Sequence, residues 1–154
     1  MATFSELMQD LCASLGVQAE PDSDLFVLET QGQQAVVTSC KLPSSDDGLY
    51  LQLSVGNFPP ANDGTTVDAL RLLHHLNHQA RTTTPWRIVL GDDDRLMMQQ
   101  TCLLSLGSEG VQAALIDGLE RLEPLQALLQ EWLPEPDAVE LPASGGPNAH
   151  IIFA

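Results

Sequence analysis

Three closely spaced histidines are the residues best suited to bind a metal ion. His74 and His78 lie four positions apart and would share one helix face, with His75 beside them. A zinc-protease helix needs a glutamate between its two histidines, and none is present here. No nearby carboxylate or cysteine completes a set of ligands. We therefore expect no metal site and no cofactor, and interpret the histidines as the polar edge of a helix.

The acidic run Asp92-Asp93-Asp94 could in principle bind calcium. It lacks the twelve-residue spacing and the bidentate glutamate of a calcium loop. Because it directly follows Gly91, the pattern is more typical of a solvated hairpin turn.

The cysteines Cys12, Cys40 and Cys102 are odd in number, widely spaced and surrounded by apolar residues. This pattern predicts reduced, buried thiols in a cytoplasmic protein rather than a disulfide framework. No histidine and asparagine accompany them in a catalytic motif. The sequence also contains no phosphate-binding loop, dinucleotide fingerprint or Gly-x-Ser-x-Gly elbow. We therefore expect no enzymatic activity.

The composition limits the classes of partner. The chain has 154 residues with a formal net charge of −15, and 44% of its residues are hydrophobic. So acidic a protein is a poor ligand for nucleic acid or anionic lipid, because both require clustered Lys and Arg. No apolar run approaches a membrane span, and no signal peptide is visible at the N-terminus. The expected location is the cytoplasm, and the family resemblance given below implies that of a bacterium.

The chain opens with an amphipathic helix. Thr3 and Glu6 form a capping-box signature, and Gly16 stands where a helix C-terminus favours glycine. Between them, apolar residues recur every three or four positions, which predicts a single buried stripe. The stripe consists of Phe4, Leu7, Met8, Leu11, Cys12 and Leu15.

Three strands and a second helix follow in the predicted order. The strands span 25–30, 35–42 and 49–55, and their short turns predict an antiparallel meander with the first strand at its edge. The helix extends from about residue 66 to 81.

The second half of the chain predicts a hairpin, a long helix and a tail. Strands at 86–90 and 96–104 precede a helix at 111–133, which Pro124 should kink or divide. The boundary at Leu133 separates a domain, residues 1–133, from an acidic, Pro- and Gly-rich tail, residues 134–154. The composition predicts a flexible tail, but its apolar end, Ile151 to Phe153, leaves docking on the domain as an alternative.

These elements give an α+β fold in the order α-β-β-β-α-β-β-α, with a twisted antiparallel sheet. Over residues 3–133 the chain resembles the class I type III secretion chaperones, the Tir-chaperone family. The resemblance rests on the segments FSELMQDLCASLGV, ALRLLHHLN, WRIVLGDDDRLMMQQTCLL and the closing EWL. It implies a homodimer that binds the N-terminal segment of a secreted effector protein and keeps that segment extended. Two alternatives remain: a regulatory protein of the same fold, or a small ligand-binding α+β domain that uses the histidines.

The chain has more apolar residues than the core of one small domain would be expected to bury, and these residues are the candidates for binding. The resemblance implies an effector site across the first helix and along nearby strands. Its candidate residues are Phe4, Leu7, Met8, Leu11, Leu25, Val27 and Met97. The dimer interface is expected on the second helix and the fourth and fifth strands. Its candidate residues are Leu70, Leu73, Leu76, Trp86, Ile88 and Met98.

Overall fold

The computed structural model describes residues 3–16, 23–30, 33–58, 65–91, 94–130 and 149–152. The helices are α1 (Phe4–Ser14), α2 (Thr65–Ala80) and α3 (Gly107–Leu129), with a short 3-10 turn at Leu104–Leu106 before α3. The strands are β1 (Leu25–Thr30), β2 (Gln33–Lys41), β3 (Asp47–Asn57), β4 (Arg87–Leu90), β5 (Arg95–Leu103) and β6 (Ala149–Ile152).

The strands form one sheet in the order β4-β5-β3-β2-β1-β6. The first five strands pair antiparallel, so the predicted α+β class, with three helices and a five-strand antiparallel sheet, is confirmed. The sixth strand was not predicted, and it pairs with β1 in parallel. It comes from the end of the tail, and residues 131–148 and 153–154 lie outside the described part of the chain.

The hydrophobic core lies on one face of this sheet. In β3, Leu49, Leu51 and Leu53 are fully buried and alternate with half-buried polar residues. Since successive side chains of a strand point to opposite faces, the register places the buried residues of the neighbouring strands on the same side. Helices α1 and α3 pack on this side, because their buried residues belong to the same cluster.

The start of α1 has the capping box that the sequence predicts. The backbone N–H of Glu6 donates to Oγ1 of Thr3 at 3.2 Å, and Oε2 of Glu6 accepts from the backbone N–H of Thr3 at 2.7 Å. The second bond favours the charged carboxylate, so the pKa of Glu6 lies below its ordinary value. Gly16 ends the turn after α1 with a φ of 75°, a conformation that side chains disfavour.

Helix α3 is longer at its start than the sequence predicts. It begins at Gly107, a residue with a φ of 74°, and it continues as one helix through Pro124 to Leu129. Of the two effects expected from Pro124, a division of the helix was therefore wrong, and a kink stays a prediction. Within the described residues, no helix is both long enough and apolar enough to cross a membrane.

Candidate partner-binding surfaces

The apolar stripe of α1 belongs to the core and is not a groove. Phe4, Leu7, Met8 and Leu11 are all buried in the single chain, and Met8 is 0% exposed. The ring of Phe4 lies 5.8 Å from that of Phe26 in β1, measured between centroids. The expectation that these four residues line an exposed effector site was wrong.

The reason is the position of α1 in the fold. The helix contacts both the sheet, through β3, and the neighbouring helix α3. Two neighbours cover a wider arc of a helix than one, so the stripe is enclosed from Phe4 to Cys12, and only Leu15 at its end is half-buried. Periodicity shows which side of a helix is apolar, but not how many elements will cover that side.

The opposite face of the sheet has no helix packed on it among the described elements, and we call it the open face. Met97 lies beside the core residue Met98 in β5 and therefore points outward. The register puts further apolar side chains on this face from each strand of the meander. They are Leu25 and Val27 of β1, Val36 of β2 and Tyr50 of β3.

Exposure differs along the open face. Leu25, Val36, Tyr50 and Met97 are half-buried, whereas Val27 is fully buried even though it lies outside the main core cluster. Of the effector-site residues inferred from the sequence, the structure thus leaves Leu25 and Met97 half-buried on this face, and it buries Val27 as fully as the residues of α1.

Polar side chains between these apolar residues are paired with one another. Nε2 of Gln52 donates to Oε1 of Gln99 at 2.9 Å, across β3 and β5. Nε2 of Gln34 donates to Oε1 of Glu29 at 2.6 Å, across β2 and β1. The open face therefore offers apolar patches separated by amide groups, a surface that suits an extended peptide better than a compact hydrophobic partner.

The first strand does not form an edge of the sheet. The sequence predicts that β1 offers unpaired main-chain groups to a client, but β6 pairs with β1 from Phe26 to Glu29. That expectation was wrong because the end of the tail, which lacks a clear strand pattern, supplies a sixth strand.

Four of the six predicted dimer-interface residues meet around one cavity. Leu76, Trp86, Ile88 and Met98 line a space of about 360 Å³ between α2, β4 and α3. Leu125 of α3 closes the apolar wall. Its two lining arginines are already engaged: Arg121 pairs with Asp117 at 3.0 Å, and Arg87 donates to the carbonyl oxygens of Thr84 and Trp86.

Three of the six residues are nevertheless core residues of the single chain. Leu73, Trp86 and Met98 are 8%, 2% and 3% exposed. Trp86 packs against Gly118 of α3, where any side chain would clash with its ring. Its indole Nε1–H is buried and has no acceptor among the described residues. The argument that these three residues are surplus to the core was therefore wrong.

Leu70 is the exposed member of the predicted interface, and the same two elements carry further exposed apolar residues. We call Val67 and Leu70 of α2 together with Leu90 of β4 the α2–β4 patch, and each is about half exposed. Leu76 and Ile88 are half-buried and pack against the core.

The outer edge of β4 is covered by a side chain of α2. Nδ2 of Asn77 donates to the backbone oxygen of Ile88, and Oδ1 of Asn77 accepts from the backbone N–H of Ile88, both at 2.8 Å. The amide thus pairs with both main-chain groups of Ile88, as a neighbouring strand would. Sequence reasoning did not identify Asn77, because a single asparagine on a helix has no pattern that reveals its partner.

The residues considered for metal binding are not brought together. His74, His75 and His78 are exposed, and no His, Cys, Asp or Glu cluster suited to a metal occurs among the described residues. The cavity lining includes none of the three histidines. Asp94 ends the β4–β5 turn with a φ of 58°, while Asp92 and Asp93 lie outside the described residues.

The thiols have the properties of core residues. All three cysteines are free, with Cys12 and Cys102 buried and Cys40 half-buried. Desolvation raises the pKa of Cys102 to about 11 despite a hydrogen bond with Gln100 that lowers it. Burial also raises the pKa of Cys12 and of Cys40. A raised pKa reduces the thiolate fraction, so these groups are poor nucleophiles at neutral pH.

Comparison with known proteins gives one structural similarity to report. No protein-family model and no curated protein matches the chain. The fold is similar to a chain in the structure of the heterodimeric complex ExoU-SpcU from the type III secretion system of Pseudomonas aeruginosa. The TM-score is 0.54 at 17% sequence identity, and the similarity covers 77% of this chain and 96% of the other. The chain therefore shares its fold with a chain of this type III secretion complex.

Proposed function

We propose that this protein is a cytoplasmic type III secretion chaperone of the class I, Tir-chaperone type. It binds the N-terminal segment of a secreted effector, holds the segment extended and soluble, and catalyses no reaction. The observation that carries the proposal is the shared fold with a chain of the ExoU-SpcU secretion complex. The open face provides a surface on which such a segment would bind.

The effector site in this proposal lies on the open face, not on α1. Leu25, Val36 and Met97 offer half-buried apolar contacts that an extended chain would cover with alternate side chains. The amides of Gln52 and Gln99 lie between them and can exchange their mutual bond for bonds to a peptide backbone. The charge of −15 helps to keep a protein with such a surface soluble when no effector is bound.

A homodimer is the second part of the proposal. The α2–β4 patch is the supporting feature, because Val67, Leu70 and Leu90 are each about half exposed. A second copy that covers this patch would also close the cavity beside Leu76 and Ile88. Burial of such residues contributes about 25 cal/mol per Å² of apolar surface, which favours association.

Co-expression with an effector segment tests the proposed function. The candidates are N-terminal segments of large proteins encoded by reading frames adjacent to this gene, each expressed alone and together with the chaperone. We expect one of these segments to be insoluble alone and to co-purify with the chaperone as an unfolded, protease-sensitive chain. Segments that are all equally soluble without the chaperone, or that never co-purify, contradict the proposal.

A pair of charge variants then tests the position of the site. Met97→Glu puts a carboxylate on the open face, whereas Ile116→Glu puts one on an exposed position of α3. Loss of a central interface residue typically costs about 2 kcal/mol or more, which is roughly a thirtyfold loss of affinity. We expect that loss for Met97→Glu and wild-type affinity for Ile116→Glu.

A further inference from the structure

The strand β6 occupies the position at which a partner strand would join the sheet. It pairs with β1 over four residues, from Phe26 with Ala149 to Glu29 with Ile152. Without β6, β1 would be the outermost strand on this side of the sheet. The row of main-chain donors and acceptors along Leu25–Thr30 would then be open to any extended chain.

Three features should make β6 easier to displace than the strands of the meander, β1 to β3. It is parallel to its neighbour in a sheet that is otherwise antiparallel, and parallel pairing is slightly weaker per residue. It has only four residues, against nine in β2 and eleven in β3. It also follows a long, Pro- and Gly-containing stretch of sequence after α3, residues 131–148, so its removal breaks no other strand of the sheet.

We infer that the outer edge of β1 is a strand-acceptor site that Ala149–Ile152 fills in the free protein and leaves when the effector segment binds. The inference rests on the proposed function and adds a specific site to it. The protein's own tail acts as a substitute strand, which protects an apolar edge from aggregation until a client replaces it.

The register defines the kind of segment that this site accepts. Ala149 and Ile151 lie at the register positions of Phe26 and Leu28, two fully buried core residues. We therefore expect a replacing strand to need apolar residues at the two positions that pair with Phe26 and Leu28. His150 lies at the register position of Val27, a residue of the open face. A segment bound at this edge would thus continue directly onto the proposed effector surface.

Competition by a tethered strand has a measurable consequence. If β6 occupies the edge for about nine-tenths of the time, the apparent affinity for a client is about tenfold below the intrinsic affinity. A change that removes β6 from the edge should therefore tighten effector binding. If β6 were purely structural, its removal would destabilise the domain and would not tighten effector binding.

The test uses the full chain with two prolines in β6. Proline has no N–H and is excluded from paired strand positions, so His150→Pro combined with Ile151→Pro removes both central donors of the strand. Ser144→Pro is the matched control, because it adds a proline to the tail before β6. Calorimetric titration with the effector segment should give a Kd about tenfold lower for the double variant and an unchanged Kd for Ser144→Pro. An unchanged or higher Kd in the double variant overturns the inference.

A second measurement follows the strand itself in the wild-type protein. We expect hydrogen exchange to show protected amides at Ile151 or Ile152 in the free protein and to show that this protection is lost in the effector complex. Amides that remain protected in the complex overturn the inference while leaving the proposed function intact.

If no effector segment binds, the proposed function is refuted, and a third measurement then tests the strand-acceptor edge on its own. The double variant is then titrated with a synthetic peptide of residues 148–153. Chemical-shift changes at Phe26–Glu29 that are absent in the wild type support a strand-acceptor edge. No change at millimolar peptide overturns it.

Discussion

Helices α1 and α2 have the same kind of amphipathic sequence and different places in the fold. In α1 the stripe is enclosed between the sheet and α3, and its members from Phe4 to Cys12 are buried. In α2, which lies beside the outer strand β4, Ala69 and Leu73 are buried whereas Val67 and Leu70 are about half exposed. The two helices therefore have different roles, the first in the core and the second partly at the surface.

The difference shows that the number of covering elements, not the width of the stripe, determines which apolar residues remain available to a partner. A helix between two layers uses its whole apolar side for stability. A helix at the rim of a sheet keeps part of that side exposed, and this part is where an interface between subunits would form. The predictions below separate these two roles.

The largest effect is expected from Met8→Glu in α1. Met8 is fully buried, so the variant places an unpaired carboxylate in the core at a cost of several kcal/mol. We expect circular dichroism to show that the variant is already largely unfolded at the start of a urea titration, before urea is added. Gln9→Glu, on the exposed side of α1, is the control and should melt like the wild type.

An intermediate effect is expected where α2 is attached to β4. Asn77→Ala leaves the N–H and C=O of Ile88 without their partner, and an unsatisfied buried group costs about 1–3 kcal/mol. The free energy of unfolding from urea titration should fall by that amount. Gln79→Ala, at an exposed position of the same helix, should change it by no more than about 0.5 kcal/mol. Equal losses in the two variants would show that the Asn77 bonds contribute nothing.

A still smaller effect on folding, but a large one on assembly, is expected from Leu70→Glu. Leu70 is 49% exposed, so the charge remains solvated in the monomer and the fold should persist. In the proposed dimer the same charge would be buried against the second copy. Light scattering should give twice 16.6 kDa for the wild type and 16.6 kDa for the variant. A variant that stays dimeric, or a monomeric wild type, places the interface elsewhere or removes it.

The rate at which cysteines react with a thiol reagent measures how accessible each helix is without disturbing the fold. Burial raises the pKa of Cys12 in α1, and Cys102 has a pKa of about 11. At pH 8 only about one molecule in a thousand would carry the Cys102 thiolate. Both thiols should therefore react slowly with a thiol reagent, and labelling of Cys102 should accelerate only as the pH rises towards 11 or the protein unfolds. Leu70→Cys in α2 should add one fast-reacting thiol, and fast labelling of Cys12 would contradict the placement of α1 in the core.

Much of the fold could be predicted because its signals are local. The capping box at Thr3 and Glu6 places the start of α1, and the alternation in β3 assigns Leu49, Leu51 and Leu53 to one face. The first strand was predicted with the observed bounds, Leu25–Thr30. These features depend on residues a few positions apart, so they can be read from the sequence alone.

The features that sequence reasoning missed depend on contacts between distant segments. The strand β6 follows a Pro- and Gly-rich stretch, and its four residues have too little pattern to predict a strand that pairs with β1. The burial of Trp86 depends on Gly118 in another element, where the missing side chain makes room for the indole ring. Exposure on α1 and α2 likewise depends on neighbours that no periodicity identifies.

The central claim is that an effector segment binds the open face and the β1 edge while α1 remains in the core. Amide and methyl NMR of the wild-type protein, titrated with the effector segment that co-purifies, tests this claim most directly. The account predicts the largest chemical-shift changes at Val27, Val36, Tyr50 and Met97, with little change at Leu7 and Leu11. Largest changes along α1, with the open face unaffected, would contradict it.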